Sequence, residues 1–198
     1  QDYGWLDWAE NGGVAGTTDA SKRMEAIEIK LVTKNGKAPG STTQAYIQPL
    51  LQYKAHVADI GWQSNVYGGG IAGTTGRAKQ MEAIRIKLIN KMYKGSINYQ
   101  THVQDYGWLD WASEDKPGGT TGKGKRLEAI KIELTGVLAQ KYDVYYRTHV
   151  ADYGWLDWAK NGEMAGTSGC SKQVEAIQII LVGKGAGAPG STDRASIV

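Results

Sequence analysis

In the stretch MEAIRIKL, residues 81–88, apolar side chains recur at Ile84, Ile86 and Leu88 with Arg85 and Lys87 between them. A period of two marks a strand with one buried face. The alternation returns at Ile130, Ile132 and Leu134 and at Ile177, Ile179 and Leu181. The letters MEAI alone suit a helix, but the β-branched residues that follow and the shortness of the run favour a strand. A second alternating segment, NYQTHV at 98–103, puts Tyr99, Thr101 and Val103 on one face and Gln100 and His102 on the other. Glycine-rich stretches such as VYGGGIAGTTG, residues 66–76, lie between the strands, supply positive φ and stop helices. The pattern predicts an all-β chain of short antiparallel strands.

These strands belong to a repeat. Four copies align, each with Gly-Trp (Trp5, Trp62, Trp108, Trp155), then Gly-Thr-Thr/Ser (from Gly16, Gly73, Gly119, Gly166), then Glu-Ala-Ile-x-Ile-x-Leu (from Glu25, Glu82, Glu128, Glu175). The last three copies also carry Tyr-x-(Ala/Thr)-His-Val, from Tyr53, Tyr99 and Tyr146. The Gly-Trp tryptophans are spaced by 57, 46 and 47 residues, and the first and fourth copies match without a gap at an offset of 150. That match runs from DYGWLDWA to a tail, Ala-Pro-Gly-Ser-Thr, that no other copy has. The larger unit is therefore three repeats long. Residues 49–198 are expected to form one complete unit, with repeats near 49–90, 91–135 and 136–198, and residues 1–48 the last part of a preceding one. A single repeat cannot bury its own face. Three closing on a pseudo-threefold axis, as a β-prism or β-trefoil, is the expected fold, with a four-bladed propeller as the alternative. Gln1 stands where the fourth copy has Ala151, inside a repeat. The expectation is a longer tandem array, or self-association through residues 1–48 with a neighbouring chain.

Composition narrows the function classes. At 41% hydrophobic and 22% charged residues the chain fits a folded globular protein. Net charge is +3, and the basic residues are scattered with no run of five, so nucleic acid is not an expected partner. No apolar run reaches the roughly 20 residues needed to span a bilayer, so membrane insertion is not expected. The lone Cys170 sits in GTSGCSK, with no histidine or second thiol beside it, and reads as incidental. QDYGWLDW at the start lacks the basic and apolar regions of a secretion signal, which is expected to have been removed or never present. Seven Trp and eleven Tyr against no Phe favour aromatics with a polar handle, which suits a surface that touches sugars or water.

The elements YQTHVQDYGWLDW, AGTTG and KRLEAIKIEL, recurring in one order across essentially the whole chain, resemble the ChW repeat, named for clostridial, hydrophobic and tryptophan. The resemblance implies a secreted or surface-attached protein of Gram-positive bacteria, with a glycan or cell-wall polysaccharide as partner. It brings no catalytic residues and no cofactor. The second copy departs from the pattern, with Ile60 for Tyr and Gln63, Ser64, Asn65 for Leu-Asp-Trp.

A residue needed by the fold should stand in every copy, whereas a site can be lost from one. By that test Trp5, Trp62, Trp108 and Trp155 read as structural core, as do Glu25, Glu82, Glu128 and Glu175. His56, His102 and His149 read as structural partners of a neighbouring loop or of these glutamates rather than as a metal site. Trp8, Trp111 and Trp158 are matched by Asn65 in the second copy. They are the candidate ligand-binding aromatics, able to stack a sugar ring while Asp7, Asp110 or Asp157 accepts its hydroxyls. Every carboxylate is duplicated, so a glycosidase pair ranks third, after glycan binding and a structural role in a surface layer or fibre. No enzyme activity is expected. The AGTTG loops lack the Gly-Lys-Ser/Thr of a phosphate cradle and read as turns.

Overall fold

Apolar residues at every second position form strands because one pleated face can be buried while the other meets solvent. The computed structural model describes residues 4–17, 23–43, 45–47, 51–89 and 93–198. In each of the last three copies the Tyr-x-x-His-Val segment, here the His strand, pairs antiparallel with the Glu-Ala-Ile segment, the Glu strand. The pairs are Leu51–Val57 with Met81–Leu88, Ile97–Val103 with Leu127–Leu134, and Tyr142–Val150 with Val174–Gly183. The alternating positions become the core: Tyr53, Ala55 and Val57 from one His strand and Ile84 and Ile86 from its partner are at most 1% exposed.

The third short element, Gly-Thr, leaves its own copy. Gly118–Gly119 pairs with Met81–Leu88, Ala165–Thr167 with Leu127–Leu134, and Ile71–Gly73 with Val174–Gly183. Each Gly-Thr strand therefore sits on the Glu strand of another copy, and the last pairing runs from the second copy back to the fourth. Gly73, Gly119 and Gly166 have φ of 104°, 111° and 117°, and a Cβ on any of them would strike the backbone of the Glu strand it crosses. Only glycine allows so close an approach.

The tyrosines follow the same cycle. The fully buried Tyr53 hydroxyl accepts the amide of Ile179 at 3.0 Å, and the Tyr99 hydroxyl accepts that of Ile86 at 3.2 Å. Each then donates to a carbonyl in its own copy: Tyr53 to Gly70, Tyr99 to Lys116 and Tyr146 to Glu163. Burial pushes the Tyr99 hydroxyl up to about 12 and those of Tyr53 and Tyr146 higher still.

In the last three copies the result is three separate hydrogen-bonded sheets of five, six and five strands, not one closed barrel. Met81, Leu127 and Val174, one from each copy, line a small apolar void together with Ile84, Ile130 and Ile177. The expectation of an all-β chain holds, with one short helix, Gly136–Lys141, linking two copies among the described residues.

The chain divides into two compact units, Gln1–Pro49 and Leu50–Val198. In the first, Gly16–Thr17 pairs in parallel with Tyr46–Ile47, just as Ala165–Thr167 pairs with Ser196–Ile197 in the second. Its Glu-Ala-Ile segment has no strand pairing among the described residues, and Ile27, Ile29 and Leu31 are 66%, 80% and 96% exposed.

Candidate functional site

Two constellations recur on the outer faces of the sheets. The first is His–Glu–Trp. Where the His strand meets the Glu strand, the register skips one residue in all three copies, and the residue skipped is the glutamate, Glu82, Glu128 or Glu175. Such a bulge turns a side chain away from its ladder position. Each carboxylate thereby reaches its histidine: His56 Nδ1 to Glu82 Oε2 is 3.2 Å, His102 to Glu128 3.1 Å and His149 to Glu175 3.2 Å. These are close electrostatic contacts, with angles short of an aligned hydrogen bond. The other carboxylate oxygen is held by Gln80, Arg126 or Gln173.

The Gly-Trp tryptophans correct an expectation. They are half-buried rather than part of the core, and Trp5 is exposed. The reason is register: Trp62, Trp108 and Trp155 pair directly opposite His56, His102 and His149, which already face away from the Tyr/Val side. Each indole meets its imidazole edge-on, with ring centroids 5.3–5.4 Å apart. A cation lies over each as well: Arg85 over Trp62, Lys131 over Trp108 and Arg147 over Trp155. Such a stack suits a structural outer layer.

The second constellation is Leu-Asp-Trp, and here the copies differ. In the fourth, the Ala-Pro-Gly-Ser-Thr tail folds over it. Asp157 Oδ2 accepts from Ser191 Oγ and from the Arg194 amide, both at 2.9 Å, and the Trp158 amide donates to the Ser191 carbonyl at 3.0 Å. Gly190 lies so close to the Trp158 indole that a Cβ would sit 3.2 Å from Nε1. The Arg147 guanidinium lies over that indole as well. The first copy repeats the cover: Asp7 accepts from Ser41 Oγ at 2.7 Å and Thr43 Oγ1 at 3.0 Å, the Trp8 amide donates to the Ser41 carbonyl, and Gly40 abuts the Trp8 ring.

The third copy has the same letters and no tail. Trp111 is 45% exposed against 8% for Trp158. Asp110 is exposed, and Leu109 is half-buried where Leu156 is buried. Beside them on the outer face, Gln100 donates to the Leu109 carbonyl at 2.9 Å. In the second copy Gln63 replaces the leucine and turns inward, accepting the Gly73 amide on Oε1 at 2.8 Å. Of the candidate ligand residues, then, Trp8, Asp7, Trp158 and Asp157 are engaged by the chain's own tail, and Trp111 with Asp110 stand open. The periodicity gave no sign of this cover, although the tail's presence in only two copies was visible.

One buried carboxylate escaped the repeat logic because it occurs once. Asp143, 1% exposed, receives Lys184 Nζ at 2.8 Å, Lys160 Nζ at 3.1 Å, Asn161 Nδ2 at 2.7 Å and the Gly185 amide at 3.0 Å. Burial opposes its ionisation, but these donors outweigh it and hold the carboxyl well below the usual range. All its lone pairs are engaged, as in a structural anchor.

A family model described as Clostridial hydrophobic W matches the chain four times, over residues 1–33, 56–90, 102–136 and 149–183. No curated protein and no solved structure matches it. Among the described residues, no helix is long and apolar enough to cross a membrane.

Proposed function

Because the chain belongs to the Clostridial hydrophobic W repeat family, we propose that it is a non-catalytic extracellular or cell-surface repeat module that binds cell-wall or other surface glycans. The observation that carries this reading is the open face of the third copy. An indole 45% exposed, with a free-standing carboxylate next to it in sequence, supplies an apolar plane for a sugar ring and an acceptor for its hydroxyls. The absence of catalysis is inferred from repetition: Glu82, Glu128 and Glu175 occupy the same bulge and meet the same histidine in every copy. A cyclic pairing of three Gly-Thr strands and three tyrosines supports a pseudo-threefold closure of prism or trefoil type over a four-bladed one.

The test is retention on purified Gram-positive wall polysaccharide. Trp111→Ala should lower retention by at least about tenfold, the scale of a binding hot spot, with the unfolding midpoint unchanged. Failure to bind any wall preparation removes the reading. A second reading, a building block of a surface layer or fibre, is favoured by the apolar residues exposed on the first unit's Glu segment. It requires a light-scattering mass that rises with concentration, and a strict monomer would exclude it.

A further inference from the structure

The tail is a ligand that the chain carries for its own Leu-Asp-Trp face, and it can be read for chemistry. After crossing Trp158 it continues as a strand along the outer edge of the Gly-Thr element, where the Gly166 amide donates to the Ala195 carbonyl at 3.1 Å and the Ser168 amide to that of Ile197 at 2.9 Å. The first copy repeats the pattern, its Gly16 amide donating to Ala45 at 2.9 Å. In the second copy Gln63 fills the same role, since its Oε1 takes the Gly73 amide. Three of the four equivalent glycine amides are thus satisfied from within the chain.

Gly119 is the fourth. The amide after it, Thr120, donates to the Glu82 carbonyl at 2.9 Å. The alternation of antiparallel bonding therefore turns the Gly119 amide outward, away from its ladder partner Ala83. It has no hydrogen-bond partner among the described residues. The same copy also has Trp111 and Asp110 uncovered.

We propose that the third copy is an acceptor for an extended peptide segment of the Pro-Gly-Ser/Thr type, which lays its glycine on the Trp111 indole, gives its serine hydroxyl to Asp110 and adds as a parallel strand to the edge at Gly118–Gly119. Strand addition of this kind takes affinity from main-chain bonds and specificity from the side-chain contacts. The glycine is specified because a Cβ there would crowd the ring to 3.1–3.2 Å, as at Gly40 and Gly190. The third copy has Gln100 where Arg147 underlies Trp158, so one cation–π contact is missing and binding is weaker than for the tail on its own copy. This goes beyond the glycan reading, because a peptide requires the edge amide and a sugar does not.

The experiment titrates the full chain with the synthetic peptide APGSTDRASI, the sequence of residues 188–197, followed by tryptophan emission and calorimetry. A tethered tail works at millimolar effective concentration, so the titration must extend to several mM. One equivalent is expected to bind, with affinity at least about tenfold lower in Asp110→Ala, an exposed position that leaves folding intact. The peptide with alanine in place of its glycine should bind at least about fivefold more weakly, as overpacking against a fixed ring requires. No saturation, or saturation indifferent to Asp110→Ala, overturns the proposal. Wall-polysaccharide retention without peptide binding would overturn it and leave the glycan reading standing, and the converse result would do the opposite.

Discussion

Residues 24–33 and 174–183 are near-copies, MEAIEIKLVT against VEAIQIILVG, with opposite fates. In the fourth copy Ile177 and Ile179 are at most 1% exposed, between the His strand Tyr142–Val150 and the borrowed strand Ile71–Gly73. In the first, Ile27 and Ile29 are 66% and 80% exposed and the segment has no strand pairing among the described residues. Alternation therefore specifies which face can be buried, but a partner must supply the ladder. The tail cover, by contrast, forms in both copies, because its hydrogen-bonding groups lie within the one copy, although Trp158 is buried and Trp8 only half-buried.

Ile177→Ala removes a side chain from the shared apolar core and should cost about 2–5 kcal/mol. The matching Ile27→Ala should change stability by no more than about 0.5 kcal/mol. Denaturant unfolding of both variants decides it, and equal losses would mean that the first unit's segment is buried in solution.

The buried tyrosines make the second unit sensitive to high pH. The unfolded chain releases a tyrosine proton near pH 10, while Tyr99 in the folded state holds it to about 12 and Tyr53 and Tyr146 beyond. A folded pKa raised in this way leaves stability intact below pH 10 and removes it as pH rises through 12. Each buried tyrosine should contribute about 1.4 kcal/mol of loss per pH unit in that window. Tyr99→Phe should make the loss shallower, at the cost of unsatisfying the Ile86 amide. The first unit's described residues contain no counterpart of these hydroxyls, so its spectroscopic changes should not track the transition.

Much of this was legible in the letters. Alternation assigned Ile84, Ile86, Tyr99 and Val103 to one face, and the recurrence of His with Glu left a neighbouring loop or the glutamate as the histidine's partner. The half-burial of Trp62, Trp108 and Trp155 does not follow from the repeat, because a large indole suggests a core. The tight turn between His-Val and Gly-Trp would have given it, since it folds Trp62 directly opposite an outward-facing His56. The bulge at Glu82 was hidden because one skipped residue leaves the alternation of Ile84 and Ile86 intact. The tail cover is hidden for another reason. Asp157 and Ser191 are 34 residues apart, and no periodicity links a side chain to a segment that crosses it.

Ser191 and Ser41 report whether the tail cover is a local property. Ser191→Ala removes one of two hydrogen bonds to Asp157 Oδ2, leaves the Arg194 amide in place and creates no buried orphan, since the carboxylate is partly solvated. A hydrogen bond to a charged group in that setting is worth about 1 kcal/mol. Ser41→Ala makes the same cut at Asp7, where Thr43 remains as the second donor. If the cover depends only on groups within its own copy, the two substitutions should loosen it alike. Iodide should then quench Trp158 and Trp8 more strongly by similar factors, although only the fourth copy has a His strand among the described residues. A response confined to Trp158 would show instead that the cover is held by the sheet beneath it, and the first copy's tail would need another support.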